Sequence, residues 1–211
     1  MTRDRLIAGA MFVLGALVLV SVYFSTLPSA VQEANAQATP VEDAPGPYMV
    51  IEVAGEGANG TITIDLMAEL APGHVDRIVT LANEGAYDGV VFHRVIDGFM
   101  AQSGDVQFGK FGADLSGAGR GGSELPDLAA EFSSVPFERG ILGMARAQDP
   151  NSANSQFFIM FGPAPSLNGA YTVLGEVTAG MEVVDAIKRG EGRNGAVLGQ
   201  PDRMVSVTIQ E

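Results

Sequence analysis

Two stretches of sequence, FHRVIDGFMAQ at residues 92–102 and SQFFI at residues 155–159, place charged and amide side chains inside strand-like apolar sequence. Alternate residues of a strand point to opposite faces. Arg94 therefore shares one face with its apolar neighbours two positions away, whereas His93 points to the other face. The alternation predicts a sheet in which a single cation lies at the edge of an apolar surface.

We expect Arg94 to be a fixed cation at the rim of an apolar pocket. The pocket and its polar neighbours comprise Phe99, Met100, Phe158, Gln102 and Gln156. Taken one at a time, these residues are ordinary: a surface arginine, core side chains, and amides satisfied on strands. No base and nucleophile pair accompanies them, so the sequence gives little support to hydrolysis or covalent catalysis.

Half-buried strands mark both ends of the folded region. Residues 61–66 and 205–210 alternate strictly between polar and apolar side chains, and residues 49–53 show the same apolar alternation. The glycine-containing segment 55–60 would join the first two strands as a hairpin. Further short apolar runs lie at residues 90–96, 141–145, 156–160 and 171–174.

Two segments have helical spacing. After Pro72, apolar residues recur at i, i+3, i+4 and i+7 as far as Ala82, which predicts an amphipathic helix with proline in its first turn. Residues 181–189 predict a second, shorter helix that ends at Gly190. The chain is thus predicted to be mainly β, with seven or eight antiparallel strands that fit a closed barrel whose ends two α-helices cover. The glycine-rich segment 104–122 is expected to be a long surface loop.

The N-terminus carries an uncharged apolar run at residues 6–27, preceded by Arg3 and Arg5. This run predicts a hydrophobic helix, and residues 1–38 are either a cleaved signal peptide or an uncleaved signal anchor. A buried core helix is a third interpretation. Positive residues before such a run stay inside, so we expect the remainder to face the periplasm. The N-terminal segment would engage the membrane or the export machinery.

The composition then changes at residues 39–47, where three prolines indicate a linker, and the folded domain is predicted to span residues 48–211. The chain has a net charge of -13 and only two lysines, which argues against binding to nucleic acid. It has no cysteine and two histidines, which argues against disulfides, a thiol nucleophile or a multi-histidine metal centre.

Three motifs, in this order, resemble those of the cyclophilins, the peptidyl-prolyl cis-trans isomerases. They are FHRVIDGFMAQSGD at residues 92–105, MARAQDPNSANSQFFI at 144–159 and LNGAYTVLGEV at 167–177. The resemblance covers about residues 48–211 and implies the family's fold, a closed eight-stranded antiparallel barrel capped by two α-helices. It implies a bacterial, exported or membrane-anchored isomerase of the peptide bond before proline, acting as a monomer on proline-containing polypeptides without cofactor or metal.

The resemblance also implies roles for individual residues. Arg94 matches the catalytic arginine, with Gln102 and Gln156 orienting it and the substrate backbone. The positions that match the proline pocket, with Phe99 also part of the catalytic set, are Phe99, Met100, Phe158 and Leu167. The remaining substrate-binding positions are Ala145 and Arg146, in the backbone strip that pairs with the residue before proline, and Tyr171.

Three positions depart from the family pattern. Ser166 stands where an aromatic residue is usual, which predicts poor affinity for cyclosporin. Arg146 stands where asparagine is frequent, and Asp97 replaces a usual proline. The departures affect the expected substrate preference and inhibitor sensitivity rather than the reaction.

Other interpretations stay open at this point. The chain could be a non-catalytic proline-peptide-binding chaperone module, or a barrel that holds a small apolar ligand, although barrels of this size are generally filled by side chains. We expect His93 to be packed or hydrogen-bonded rather than catalytic. His74, near a predicted helix N-terminus, is expected to be solvated.

Overall fold

The computed structural model describes residues 45–211. The predicted hydrophobic helix, the signal or anchor segment and most of the linker lie outside these residues. Within residues 45–211, neither α-helix combines the length and apolar character needed to cross a bilayer.

Eight strands form one antiparallel sheet in the described part of the chain. They are β1 (Tyr48–Ala54), β2 (Gly60–Leu66), β3 (Arg94–Ile96), β4 (Met100–Ser103), β5 (Ile141–Met144), β6 (Phe157–Met160), β7 (Val173–Ala179) and β8 (Arg203–Gln210). Their order across the sheet is β3-β4-β6-β5-β7-β2-β1-β8. The prediction of a mainly β fold with eight antiparallel strands is confirmed.

The hairpin of β1 and β2 shows why the alternating sequence forms strands. Ile51 lies directly opposite Ile62, and the inward side chains of both strands are almost fully buried. The inward residues are Met49, Ile51, Val53, Ile62, Ile64 and Leu66. Burial of each large apolar side chain contributes about 1.5–3 kcal/mol, before the loss of conformational entropy is counted. This hairpin therefore forms one wall of the main core, the larger of two clusters of buried apolar side chains.

The two edge strands of the sheet, β3 and β8, are joined through the segment that precedes β3. The Phe92 amide donates to the Asp202 carbonyl, and the Met204 amide donates to the Val90 carbonyl, each at 2.9 Å. The sheet thus curls until the segment before β3 exchanges backbone hydrogen bonds with the start of β8 and the residue before it. No regular ladder pairs β3 with β8 in the described residues, so complete barrel closure stays a prediction that these bonds favour.

In residues 45–211, two α-helices pack against the sheet. α1 (Pro72–Asn83) follows β2, has proline in its first turn as predicted, and buries Val75, Ile78 and Leu81. α2 (Met181–Ala186) follows β7 and is shorter than predicted, because Ile187 already has an extended ψ of 129°. Both helices were expected, and only the end of the second one was wrong.

The N-terminus of α1 is capped by a residue from a distant loop. The Glu131 carboxylate accepts hydrogen bonds from the backbone amides of Gly73 and His74 at 3.1 and 3.0 Å. It also lies 2.6 Å from His74 Nδ1. His74 is 1% exposed, so the expectation that it is solvated is wrong. A tertiary partner 57 residues away buries it, which local sequence does not indicate.

A second apolar cluster is distinct from the main core and is built largely from the middle strands β4 to β7. Its buried members are Met100, Phe137, Ile141, Phe158, Met160, Ala164 and Val173. Leu167, Tyr171, Phe99 and Ala145 are partly buried against it. This cluster, and not the main core, supports the predicted site residues.

Candidate active site

Arg94 and Gln102 are direct partners across the β3–β4 ladder. Arg94 Nη1 donates to Gln102 Oε1 at 3.0 Å, and Arg94 Nε donates to the Asn194 carbonyl at 2.9 Å. Nη1 also lies 3.6 Å from the Met100 sulfur. These contacts hold the guanidinium from two sides. In the described residues no carboxylate pairs with it, so its positive charge is not cancelled locally.

The amides continue this chain of hydrogen bonds away from Arg94. Gln102 Nε2 donates to Gln156 Oε1 at 3.0 Å, and Gln156 Nε2 donates to the Gly121 carbonyl at 2.8 Å. Each amide thus accepts on one side and donates on the other, which fixes its orientation. The predicted association of Gln102 and Gln156 with Arg94 is present in the geometry.

A cleft of about 170 Å³ brings most of the predicted residues together. It is lined by Arg94, Phe99, Met100, Gln102, Ala145, Arg146, Phe158, Leu167 and Tyr171. Gln156 does not line this cleft and instead lines an adjoining cavity. The structure therefore places nine of the ten predicted residues around one cleft and the tenth behind Gln102.

Phe158 forms the apolar wall of the cleft. Its ring stacks on Phe137 at a centroid distance of 5.8 Å and meets the edge of Tyr171 at 5.9 Å. Gly143 makes this packing possible, because a Cβ there would lie 2.4 Å from the Phe158 ring. Phe158 is 5% exposed and Met100 only 1%, so the wall is both apolar and rigid.

Burial lowers the pKa of the Arg94 guanidinium at the rim of the cleft, and the neighbouring Tyr171 acts in the opposite direction. Arginine is nevertheless not deprotonated in proteins. The cleft thus combines an apolar wall with a permanent cation.

The backbone of Arg146 is an open edge beside the cleft. The preceding amide, Ala145 N–H, donates to the Gln156 carbonyl at 2.9 Å, which attaches the strip to β6. The N–H and C=O of Arg146 have no hydrogen-bond partner among residues 45–211. An extended peptide could add to this edge by main-chain hydrogen bonds.

The Arg146 side chain is fixed by backbone carbonyls and by the Tyr171 ring. Its guanidinium lies 4.4 Å from the centre of the Tyr171 ring, and Nη2 donates to the Ala170 carbonyl at 2.9 Å. Tyr171 thus contacts both Phe158 and Arg146, which explains how a position predicted from the resemblance comes to line the cleft.

His93 lies outside the cleft lining, as its strand parity predicted. It is 9% exposed and neither ring nitrogen has a hydrogen-bond partner in the described residues. Burial lowers the pKa of His93 to about 4, against the opposing effect of Asp105. The imidazole is therefore packed and neutral near pH 7.

The segment 104–122 is more than the surface loop that its glycines predicted, because it contacts the residues of the site. Asp105 is fully buried, and its carboxylate accepts hydrogen bonds from the amides of Gln107, Phe108, Gly119 and Gly121 at 2.7–3.1 Å. The segment is folded back onto the site, where Gly121 receives the Gln156 hydrogen bond. A lone aspartate followed by glycines was the available signal.

Asn194, which holds Arg94 Nε through its carbonyl, was also missed. It lies in a short 3-10 turn with φ 59°, a left-handed conformation that asparagine tolerates better than most residues. Because the contact uses its backbone, the side-chain pattern gave no indication of it.

The described residues contain no group of three or more acidic or histidine side chains placed to hold a metal ion.

Known proteins share this sequence and fold. Residues 48–209 match the family described as cyclophilin type peptidyl-prolyl cis-trans isomerase/CLD. A probable peptidyl-prolyl cis-trans isomerase of Brucella suis biovar 1 is 57% identical over 155 residues, which are 72% of this chain and 79% of that protein. A peptidyl-prolyl cis-trans isomerase-like 1 of Neurospora crassa is 40% identical over 140 residues, 64% of this chain and 80% of that protein.

Solved structures agree. A cyclophilin type peptidyl-prolyl cis-trans isomerase of Cryptosporidium parvum has a TM-score of 0.65 and 25% identity, covering 78% of this chain and 97% of its own. A structure of that protein in the presence of the dipeptide Ala-Pro has a TM-score of 0.64 and 25% identity, covering 78% of this chain and 99% of its own. The family match, the sequence relatives and the solved structures all agree with the cleft found around Arg94. This chain belongs to the cyclophilin-type peptidyl-prolyl cis-trans isomerases.

Proposed function

We propose that this protein accelerates rotation about the peptide bond before proline, with Arg94 as the catalytic cation and the cleft as the proline site. The observation that carries the proposal is the hydrogen-bond chain from Gly121 through Gln156 and Gln102 to Arg94. It fixes a permanent cation at the rim of an apolar cleft without neutralising it.

The chemistry of the rotation explains why such a cation is useful. A planar amide is held by resonance, with a barrier of about 18–20 kcal/mol. In the twisted transition state the proline nitrogen becomes pyramidal and gains a lone pair that the planar forms lack. A guanidinium N–H directed at this nitrogen stabilises the transition state more than either ground state, as catalysis requires. In the described residues Arg94 Nη2 has no hydrogen-bond partner and is available for this contact.

A single donor is not sufficient. Preorganised donors contribute about 3–4 kcal/mol each, whereas a 10⁵-fold acceleration requires about 7 kcal/mol. The remainder must come from holding the substrate. Phe99, Met100, Phe158 and Leu167 would hold the proline ring, while the backbone of Arg146 pairs with the residue before proline. Rotation then occurs between two fixed halves of the peptide. It transfers no proton and breaks no covalent bond, so the reaction itself requires no cofactor or metal.

The test is exchange NMR on a proline-containing peptide, using the purified full-length chain in mild detergent. We expect exchange to be faster with the protein present, and Arg94→Ala to lose most of this acceleration. Arg139→Ala removes an exposed arginine outside the cleft and is the matched control.

The rates decide between the enzymatic proposal and its alternative, and they test the role of Arg94. A wild-type chain that does not exceed the spontaneous rate overturns the enzymatic proposal, and peptide binding without turnover would then favour the non-catalytic chaperone alternative. Equal rates for the wild type and Arg94→Ala would remove Arg94 from the mechanism.

We further propose that the protein acts as a monomer on exported polypeptides in the periplasm, either free after signal cleavage or anchored to the inner membrane. The apolar run at residues 6–27 after two arginines supports this location. Cell fractionation with N-terminal sequencing of the mature protein distinguishes the two forms. Recovery from the cytoplasm with an intact N-terminus would overturn the location, and light scattering tests the monomer.

A further inference from the structure

The free edge of β3 is covered by residues 189–197, which follow α2 and are called the clamp loop here. On its other edge β3 pairs with β4. The Gly190 amide donates to the Val95 carbonyl at 2.9 Å. The Val197 amide donates to the His93 carbonyl at 3.0 Å. The strand that carries the guanidinium of the cleft is thus held along both edges.

A buried carboxylate closes the base of the clamp loop. Asp202 is fully buried, and its Oδ2 accepts a hydrogen bond at 2.8 Å from the amide of Lys188, the residue before the loop. The same carboxylate accepts hydrogen bonds from the amides of Gly57 and Ala58, in the β1–β2 turn, at 2.9 and 3.1 Å. The base of the loop is therefore attached to the main sheet, whereas its middle must be placed by other contacts.

The middle of the clamp loop supplies the second support of Arg94. The Asn194 carbonyl accepts the hydrogen bond from Arg94 Nε at 2.9 Å. Gly195 follows with φ 80°, and a Cβ there would overlap the Ile96 side chain of β3. The loop lies so close to β3 that a small shift would separate the carbonyl from the guanidinium. A displacement of about 1 Å near reacting groups can lower a rate by about 100-fold.

Arg189, the first residue of the clamp loop, joins this loop to the β3–β4 turn. Among residues 189–197 of the described chain it is the side chain that forms an ion pair, and its Nε donates to Asp97 Oδ1 at 2.9 Å. Its guanidinium carbon lies 4.1 Å from the centre of the Phe161 ring, a cation–π contact. Its Nη1 donates to the Ile187 carbonyl at 2.6 Å. One guanidinium thus connects the start of the loop, the β3–β4 turn and the residue after β6.

The partners of Arg189 belong to the backbone around the cleft. The Phe161 amide donates to the Phe99 carbonyl at 2.9 Å, and Phe99 lines the cleft. Arg189 itself is not among the lining residues, and its charge is paired with Asp97. Its contacts therefore act on the reaction through the residues that it holds and not by touching the proline.

We propose that Arg189 is a positioning residue for the isomerisation. It fixes the clamp loop against the β3–β4 turn and thereby keeps the Asn194 carbonyl on Arg94 Nε. The proposal rests on the proposed function, because it takes Arg94 as the catalytic cation. The ion pair with Asp97 is partly exposed, so we expect a moderate effect on the rate.

The experiment measures two quantities on Arg189→Ala, using the full-length chain in mild detergent. Exchange NMR over a range of proline-peptide concentrations gives kcat and KM. We expect kcat to fall about three- to tenfold and KM to change less than about twofold, because Arg94 acts in the transition state while the apolar wall holds the bound peptide.

The second quantity is the rate at which the Arg94 Nε–H exchanges with water in the absence of peptide. Nitrogen–proton NMR measures it, and the signal of this group is the one that Arg94→Ala lacks. A hydrogen bond protects an N–H from exchange, so we expect the rate to rise about tenfold in Arg189→Ala. A merely structural contribution of Arg189 to stability would leave this rate unchanged.

Arg193→Ala is the matched control. It removes an arginine from the same loop, and this side chain forms no ion pair in the described residues, so both quantities should remain as in the wild type. Asp97→Ala removes one partner of Arg189 and leaves the Phe161 ring, so its loss of kcat should be smaller. The variant with both Arg189→Ala and Asp97→Ala should match Arg189→Ala alone, because the two changes break the same pair.

An unchanged kcat in Arg189→Ala overturns the proposal. A lower kcat without faster Nε–H exchange also overturns it, since the effect would then not pass through Arg94. Equal losses for Arg193→Ala would assign the effect to the charge of the loop and would count against Arg189 as well. If the wild type turns over no peptide, the proposed function fails, whereas Nε–H exchange still decides whether Arg189 holds Arg94. Urea unfolding verifies that each variant is folded under the assay conditions.

Discussion

Arg94 Nη1 lies 3.0 Å from Gln102 Oε1, directly across the β3–β4 ladder. The acceptor is a neutral amide, although a carboxylate of the same shape would form a stronger hydrogen bond. The pairing therefore orients the guanidinium and leaves its charge available to the substrate. In this cleft, orientation and charge are provided by different groups.

Gln102→Glu tests whether that charge must stay available. It preserves the acceptor for Arg94, replaces the Nε2 donor to Gln156 and places a negative charge against Arg94. We therefore expect catalytic efficiency to fall about ten- to 100-fold at pH 7, which corresponds to about 1.4–2.7 kcal/mol. Gln210→Glu adds the same charge at an exposed position on β8 and should have little effect. Efficiency at or above the wild-type value for Gln102→Glu would show that the guanidinium charge need not stay unpaired.

Phe157 and Phe158 provide a second matched pair on β6. Phe158 belongs to the cluster that supports the cleft, and Phe157 to the main core, where it meets the edge of Tyr87 at 5.6 Å. We expect Phe→Leu at either position to lower the free energy of unfolding by about 1–3 kcal/mol. Only Phe158→Leu should also raise KM for a proline peptide, because it removes the cleft wall.

Urea unfolding and steady-state kinetics below the unfolding transition measure both quantities. A rise in KM of the same size for Phe157→Leu would contradict the separate function of the two clusters. Similar losses of stability with different KM values would support it.

Ser166 allows a test of inhibitor affinity. It is exposed in the 3-10 turn Pro165–Leu167, next to Leu167 of the cleft, and it adds no wall of its own. Ser166→Trp should extend the apolar wall and strengthen cyclosporin binding by about tenfold, which corresponds to about 1.4 kcal/mol. Titration calorimetry measures this affinity, with the exposed Ser134→Trp as control. Equal affinity for the wild type and Ser166→Trp would show that this position does not limit the inhibitor.

The sequence indicated the strands and the cleft because both depend on local patterns. Alternation in β1, β2 and β8 reports burial of one face, and the polar positions within β3, β4 and β6 stand out against it. The supports of the site depend instead on contacts between distant residues. Asp105 reaches Gly119 and Gly121, and Asn194 reaches Arg94 through a backbone carbonyl 100 residues away. Side-chain patterning does not report contacts of this kind.

The burial of His74 was missed for the same reason, and it leads to a prediction about α1. Burial acts to raise the pKa of Glu131, but hydrogen bonds from the His74 side chain and from the Gly73 and His74 amides outweigh it, so the pKa lies below its usual value. The ionised carboxylate therefore stabilises the folded state above the unfolded-state pKa, and this contribution is lost as the pH falls through the folded-state pKa.

Glu131→Gln should consequently lower the free energy of unfolding by about 1–2 kcal/mol at pH 7 and have a smaller effect at pH 3. Urea unfolding at the two pH values measures the difference. Glu124→Gln, at an exposed position, is the control. A loss of stability that is the same at both pH values would show that the charge of Glu131 does not contribute.

The buried imidazole of His93, which lies beside the site, should make the free energy of unfolding depend on pH. Burial lowers its pKa to about 4, while Asp105 acts in the opposite direction and Arg94 acts with burial. An unfolded histidine titrates near 6.5, so between about pH 6.5 and 4 the unfolded chain binds the extra proton. The neutral imidazole therefore stabilises the folded state above about pH 6.5, and this contribution decreases by at most about 3 kcal/mol as the pH falls to about 4.

His93→Leu removes this titration together with two unpartnered buried nitrogens, so the variant should lose less stability than the wild type between pH 7 and 4.5. Urea unfolding at both values measures the two slopes, and the carboxylates titrate alike in both proteins. Parallel slopes would mean that His93 is protonated as easily in the folded as in the unfolded chain.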